Sequence, residues 1–533
     1  MATSSPKLFL LLLAIFSSHA WAVINSSNTS TTTLANLSSS DSFCRTTPYP
    51  EVCFNSSKLT ISININPNII SILLEALQAA ISEATKLSDL LNNAGPSNII
   101  ENKKGAVQDC RELQHITLTS LKRSLSGISS QNSRKLLDAR TYLSAALTNK
   151  NTCLESLDSA SGSWKPVLVD SVINSYKHVS NSLSMLPKPD IKASKGQKNR
   201  RLMSFPTWFS RKNHRFLQSN NDVLVVAADG TGNFSTVTDA INFAPNNSLD
   251  RTVIYVKEGT YEENVEIPSY KTNIVLLGDG NDVTVITGSR SLVDGWTTFR
   301  SATLAVSGDG FLARDIAFEN KAGPEKHQAV ALRVNADFTA FYRCAMYGYQ
   351  DTLYVHSFRQ FYSECNIFGT IDYIFGNAAA VLQACNIVSR MPLPGQFIVI
   401  TAQSRDSPDE DTGISIQNCS ILATTDLYSN SASVKSYLGR PWRVYSRTVY
   451  LESYIDVIVD PTGWTKWSDD QGLDTLYYGE YANYGPGSGT GDRVKWLGYH
   501  LMDYNSAYNF SVSEFIIGDA WLGSTSFPYD DGI

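Results

Sequence analysis

A helical bundle followed by a right-handed parallel β-helix is the architecture this 533-residue sequence predicts. Three observations carry that expectation. Between Ile69 and Leu186 apolar residues recur at every third or fourth position, the period of an amphipathic helix. From Asp222 onward the text changes to short β-rich runs (VLVVAA, TVIYVKEG, TNIVLLG, VTVITG) punctuated by Gly, Asn and Asp. Finally, FYRCAMYGYQDTLY at Phe341–Tyr354 is echoed by FYSECNIFGTIDYIF at Phe361–Phe375.

The chain opens with Lys7, an uninterrupted apolar run from Leu8 to Phe16, and small residues Ala20-Trp-Ala22. That is the layout of a signal peptide, residues 1–22, and the run is well short of the ~20 residues a membrane span needs. No later stretch is long enough to span either. A Ser/Thr/Asn-rich lead, residues 23–40, has too few apolar groups to pack. Sequons at Asn28, Asn36, Asn55, Asn233, Asn246, Asn418 and Asn509 suit a secreted, extracellular chain. Asn418 directly precedes Cys419 and is expected to be the least accessible of them.

Residues 41–186 read as an all-α four-helix bundle. Ile70, Leu73, Leu74, Leu77 and Ile81 mark one helix, and Leu136, Leu137, Ala139, Leu143, Ala146 and Leu147 another. Residues 187–218 hold nine basic residues and one acid, which makes a linker. Arg200-Arg201 and Arg215 in it are basic sites of the kind a processing protease cuts. Residues 219–533 form the β-helical part. The net charge of −6 divides into a basic N-terminal part and a strongly acidic part from Ser219 on, which repels polyanions and excludes nucleic acid as a partner. The opposite charges of the two parts should help them associate. Eight cysteines fall into two groups of four: Cys44, Cys53, Cys110, Cys153 and Cys344, Cys365, Cys385, Cys419. In a secreted chain these suggest disulfides.

The repeat decides for a solenoid over a sandwich, because each β-helical coil consumes about 21 residues and stacks equivalent positions at ~4.8 Å. Alignment by identity, with one inserted residue, sets Phe341 over Phe361, Cys344 over Cys365, Gly348 over Gly369 and Asp351 over Asp372. Asp351 and Asp372 would then lie on one face of neighbouring coils, ~5 Å apart. Two carboxyls so close cannot both ionise freely, so one holds its proton while a cation keeps the other anionic. Gln328 and Gln350 would bring amide donors for an oxyanion to the same face. LGRPW supplies Arg440, and Trp442 to lie against a sugar ring. Each residue alone has a plainer reading, as a turn cap, a surface charge or core; the constellation is what points to chemistry.

GTYEE (Gly259–Glu263), QAVALR (Gln328–Arg333), GYQDTLY (Gly348–Tyr354), IDYIFGN (Ile371–Asn377) and LGRPW (Leu438–Trp442) resemble the five signature segments of plant pectin methylesterases. The helical part, with cysteines paired Cys44–Cys53 and Cys110–Cys153, resembles the inhibitor module that precedes the catalytic domain in one class of these enzymes. The resemblance implies hydrolysis of galacturonate methyl esters in cell-wall pectin (methylesterified homogalacturonan), with no cofactor and no metal. It implies Asp372 as nucleophile, Asp351 as proton donor and base, Gln350 and Gln328 as oxyanion donors, and Arg440 as the group orienting Asp372. Trp442, Tyr354 and Phe375 would line the sugar cleft, with Trp464 a further candidate. Tyr373 departs from the family's usual Phe and is expected to alter cleft shape slightly. Other implied partners are the chain's own pro-domain or separate inhibitor proteins, and a processing protease. Cys344–Cys365 and Cys385–Cys419 are candidate bridges, one of three possible pairings. Two rivals remain: a β-helical glycosidase or lyase, which would create new reducing ends, and an idle wall-binding protein.

Overall fold

The computed structural model describes residues 44–61, 69–95, 98–130, 132–187, 200–201 and 223–533. The signal peptide, the Ser/Thr/Asn-rich lead, Asn28, Asn36, Arg215 and almost all of the linker lie outside the described residues. Of the linker's basic sites, Arg200–Arg201 forms a two-residue strand paired antiparallel with Tyr529–Asp530 near the C-terminus.

The N-terminal part is helical: α1 (Pro50–Ile61), α2 (Ile69–Asn93), α3 (Ala106–Ser129), α4 (Ser133–Asp158) and α5 (Lys165–Met185). Along α2 the buried residues Leu73, Leu77, Ala80, Ala84, Leu87 and Leu91 alternate spacings of four and three, so one stripe faces the bundle. Asn132 caps α4 by accepting from the amides of Arg134 (3.0 Å) and Lys135 (3.4 Å). Disulfides join Cys44 to Cys53 and Cys110 to Cys153, the second tying α3 to α4.

The C-terminal part is a parallel β-helix of three sheets with seven, eleven and eight strands, whose paired strands are parallel throughout. Helix Val237–Phe243 packs Val237, Ala240 and Ile241 against the interior at one end of the stack. Trp521, Leu522, Phe527 and Tyr529 cover the outer face of the eleven-stranded sheet. Six successive coils turn from the eleven- to the eight-stranded sheet through one left-handed residue: Asp315, Arg343, Glu364, Ala384, Asn418 and Glu452 all have φ between 48° and 55°. Asn418 is exposed at such a corner, contrary to the expectation that its neighbour Cys419 would shield it.

Register differs from the alignment by identity in one respect. Phe341 pairs with Tyr362, and Ala340 with Phe361, so the offset is 21 without any insertion. Phe341 and Tyr362 stack inside the coil at 4.9 Å with a 6° interplanar angle, whereas Phe361 faces outward onto Tyr529. A slip of one residue moves a side chain to the opposite face, and matching letters could not reveal which Phe points inward.

The second cysteine group also corrects the sequence reading. Cys344, Cys365, Cys385 and Cys419 are free, buried thiols, so neither Cys344–Cys365 nor Cys385–Cys419 is a bridge. Each follows a corner residue and adopts the same pose on its coil. Cys385 Sγ points to the Tyr362 carbonyl of the preceding coil (3.5 Å) and accepts from Cys365 N (3.4 Å); Cys419 Sγ relates likewise to Leu382 and Cys385. Side chains translated by a strand spacing of ~4.8 Å run parallel, while a disulfide needs sulfurs ~2.0 Å apart. The intervals between these cysteines are 21, 20 and 34 residues, and the longest coil carries the 404–411 loop.

Candidate active site

Tight turns place the two aspartates. Strand pairs Leu353–Ile374 and Tyr354–Phe375 fix a 21-residue offset, which sets Asp351 above Asp372. Both residues are left-handed, with φ of 64° and 52°. The glycine three residues before each aspartate is dictated by space: a Cβ on Gly369 would sit 2.1 Å from Tyr373 Cβ. Gly376 combines φ +127° with a backbone approach that would leave its Cβ 2.2 Å from Val355 O.

Asp351 is 7% and Asp372 4% exposed. Arg440 grips Asp372 with two parallel hydrogen bonds, Nε to Oδ1 at 2.8 Å and Nη2 to Oδ2 at 2.6 Å. Burial raises the pKa of both carboxyls, but unequally. Asp351 is raised well above its usual range by burial and then by the charge of Asp372, with only partial relief from Arg440. For Asp372 burial is opposed directly by the Arg440 hydrogen bonds and charge. The geometry therefore favours a protonated Asp351 beside an ionised Asp372.

These groups line a cavity of about 320 Å³ with Gln328, Gln350, Tyr354, Phe375, Trp442 and Arg440. Among the described residues neither glutamine donates its amide hydrogens to a protein acceptor, and Gln328 Oε1 is buried without a partner. Tyr354 and Phe375 stack at 4.1 Å, and Trp442 lies 6.0 Å from Phe375.

Two expectations fail here. Trp464 is core, 1% exposed, stacked 4.0 Å from Tyr478 and donating to Glu480 (3.3 Å). Tyr373 points into the coil, where its hydroxyl meets Ser389 Oγ at 3.1 Å, so it leaves cleft shape alone. The cleft's second indole is Trp467, 6.2 Å from Trp442, with the Arg440 guanidinium 4.2 Å from its ring. Sequence reasoning missed it and Phe299, because neither sits in a repeated segment.

Part of the cavity wall is helical. Thr152, Glu155, Ser156 and Ser159, from α4 and its C-terminal end, and Lys103 line it together with the aspartates. Thr152 Oγ1 lies 2.9 Å from His356 Nε2, and Glu155 pairs with Arg443. Burial, reinforced by Arg333, pushes His356 well below its usual range, so the imidazole is neutral. Around the cleft Asp109 meets Arg300 (2.7 Å), Glu112 also pairs with Arg300, and Asp138 meets Arg359 (2.8 Å). Arg123–Asp309 (2.6 Å) and Arg140–Asp411 run the other way. The bulk charge argument thus misplaces the attraction. Residues 41–186 hold 14 basic and 12 acidic residues, so the positive excess lies mainly in the linker, and the docking face works largely by acids on arginines.

A buried carboxylate pair with a fixed guanidinium and an aromatic-walled cleft, on the flank of a β-helix, defines an enzyme of the polysaccharide-acting β-helix class. Residues 223–519 match the Pectinesterase family profile, and residues 38–185 match that of the plant invertase/pectin methylesterase inhibitor. The chain is 66% identical to "Probable pectinesterase/pectinesterase inhibitor 12" of Arabidopsis thaliana, covering 93% of this chain and 94% of the relative. It is 45% identical to "Pectinesterase 2" of Citrus sinensis, over 92% and 94% of the two chains. Among solved structures, pectin methylesterase from carrot aligns with TM-score 0.58 at 52% identity, covering 58% of this chain and 98% of that one. The chain belongs to the pectinesterase family of carboxylic ester hydrolases, and it carries an inhibitor-type helical region ahead of the β-helix.

Proposed function

We propose that the enzyme demethylesterifies cell-wall pectin through an acyl-enzyme on Asp372. Asp372 attacks the methyl-ester carbonyl of a galacturonate unit, and Gln328 and Gln350 donate to the oxyanion that forms. Asp351 gives its proton to the departing methoxide, releasing methanol, and then takes a proton from water. That water cleaves the acyl bond, yielding the free carboxylate and restoring Asp372. Arg440 orients Asp372 and keeps it ionised, while Trp442, Tyr354 and Phe375 hold the sugar. The observation that carries this reading is the asymmetry of the pair: one aspartate gripped by a guanidinium, its neighbour buried without one.

We further infer that residues 41–186 are a pro-domain that inhibits in cis until the 187–218 linker is cut, and that residues 219–533 are the catalytic domain. Support comes from α4, whose Thr152 and Glu155 occupy the rim of the cleft a polymer must enter. Residues 1–22 and the sequons accord with secretion to the cell wall, where the substrate lies.

The test measures methanol and reducing ends from highly methylesterified pectin, using uncut chain and chain cut in the linker and freed of its helical half. Methanol without reducing ends, faster after cutting and reduced on the order of 10⁴-fold in Asp372→Asn, is expected. New reducing ends would sink the esterase mechanism, and equal rates from cut and uncut chain would sink autoinhibition.

A further inference from the structure

Away from the catalytic carboxylates, where strands of the eleven-stranded sheet begin, a second cavity of about 690 Å³ lies between α4 and the C-terminal helices. Its wall includes Arg359, Arg405 and Arg447 and the rings of Tyr477, Phe510 and Phe515. Arg359 is neutralised by Asp337 (2.6 Å) and Asp138 (2.8 Å). The other two guanidiniums form no ion pair with a described carboxylate. Arg405 donates to the carbonyls of Pro408 (2.6 Å), Glu410 (2.8 Å) and Tyr445 (3.4 Å). Arg447 donates from Nε to Thr412 O (2.6 Å) and from Nη2 to the same Glu410 carbonyl at 3.5 Å.

Carbonyl oxygens satisfy hydrogen bonds but leave a cation's charge unbalanced. Two guanidiniums converging on one carbonyl repel each other. Burial and then Arg405 bring Arg447 down to about 9, a strong shift for a group that ordinarily never releases its proton. Of the carboxylates on the wall, Asp411 is already held by Arg140, and Glu514 is raised by burial and by Asp519. Glu410, raised to about 7 by burial, and Asp409 and Asp411 act on the two guanidiniums only from beyond ion-pair distance, so no carboxylate in contact balances either and the site can take a further anion. Inorganic anions would fill only a small part of its volume, and the aromatic faces suit the C–H face of a pyranose.

We propose that this cavity binds the free carboxylate of a uronic-acid sugar, with Arg447 and Arg405 receiving the carboxylate and Tyr477 and Phe510 packing against the ring. A galacturonate acquires that carboxylate only after demethylesterification, so the site selects product-type units over esterified ones. It stands apart from the roles of Asp351 and Asp372 and does not depend on them.

The experiment is calorimetric titration of the uncut chain with digalacturonate, its dimethyl ester and sulfate. One digalacturonate equivalent is expected, with the ester weaker by about tenfold or more. Binding should be lost in Arg447→Gln and in Thr141→Trp, which narrows the cavity from its α4 wall while keeping both arginines in place, and kept in Trp442→Ala. A thermal melt of each variant checks its fold, and if Arg447→Gln unfolds, Thr141→Trp decides alone. Absence of heat with digalacturonate, equal affinity for ester or sulfate, binding that survives Thr141→Trp, or binding lost in a folded Trp442→Ala would each overturn the proposal.

Discussion

The interior of the β-helix and the junction between helices and cleft are both buried, yet they are built from opposite materials. Inside the coils Ile, Val, Leu and Phe stack on their counterparts, and even the cysteines repeat a single pose. At the junction four acids of the helical half face arginines of the β-helix, and Asp109 is fully enclosed. Apolar stacking holds regardless of pH or partner, whereas buried ion pairs barely offset their desolvation and give way when one member changes. The difference predicts that a change of pH or of one charged side chain weakens the junction and leaves the interior untouched.

The comparison would break most plainly if an interior change separated the halves. Phe341→Ala removes a ring that packs against Phe311, Phe318 and Tyr362. It should cost roughly 3–5 kcal/mol of β-helix stability, read as a lower melting temperature to the same extent at acid and neutral pH. Arg300→Ala should do the reverse. It strands Asp109, leaves Glu112 only its 3.5 Å pairing with Arg333, and weakens rebinding of the helical half to cut enzyme by about 3 kcal/mol, near 100-fold, with little change in β-helix melting.

Acidity sharpens the contrast next. Burial, outweighing Arg300, raises Asp109 from 3.8 to about 6 in the docked chain. A carboxyl raised on docking favours the docked state when protonated. Its contribution is full below pH 3.8, is lost as pH rises to about 6 and is flat beyond, amounting to roughly 2–3 kcal/mol. Glu155 is raised and acts in the same sense, while Glu112 is lowered and acts against it. Rebinding measured by calorimetry from pH 4 to 7 should weaken with rising pH, and Asp109→Asn should flatten the curve. The smallest effect belongs to Tyr373→Phe: one hydrogen bond to Ser389 is lost, stability falls by at most about 1 kcal/mol, and methanol release is unchanged.

Most of the interior was legible in the text because stacking repeats chemistry at a fixed interval. The echo of Gly348 and Asp351 in Gly369 and Asp372 located the cleft. What stayed hidden had no period. Which Phe of an FY pair points inward depends on strand pleat, and whether stacked thiols join depends on their rotamers. Trp464 and Trp467 stand three residues apart, one in the core and one in the cleft, with nothing local to rank them. The junction was the least readable region, since composition summed linker and helices together and concealed the acids that touch arginines.

The 404–411 loop, carried by the longest cysteine interval, supplies Asp406, Asp409 and Asp411 to α4 through Lys150, Asn151 and Arg140. A coil can lengthen at its corner without disturbing the rungs above or below, so this loop reaches the helical half like a bracket while the strands on either side keep their pairing. Trimming that loop would test the proposed control: the uncut chain should then gain activity while the chemistry of the cleft stays in place.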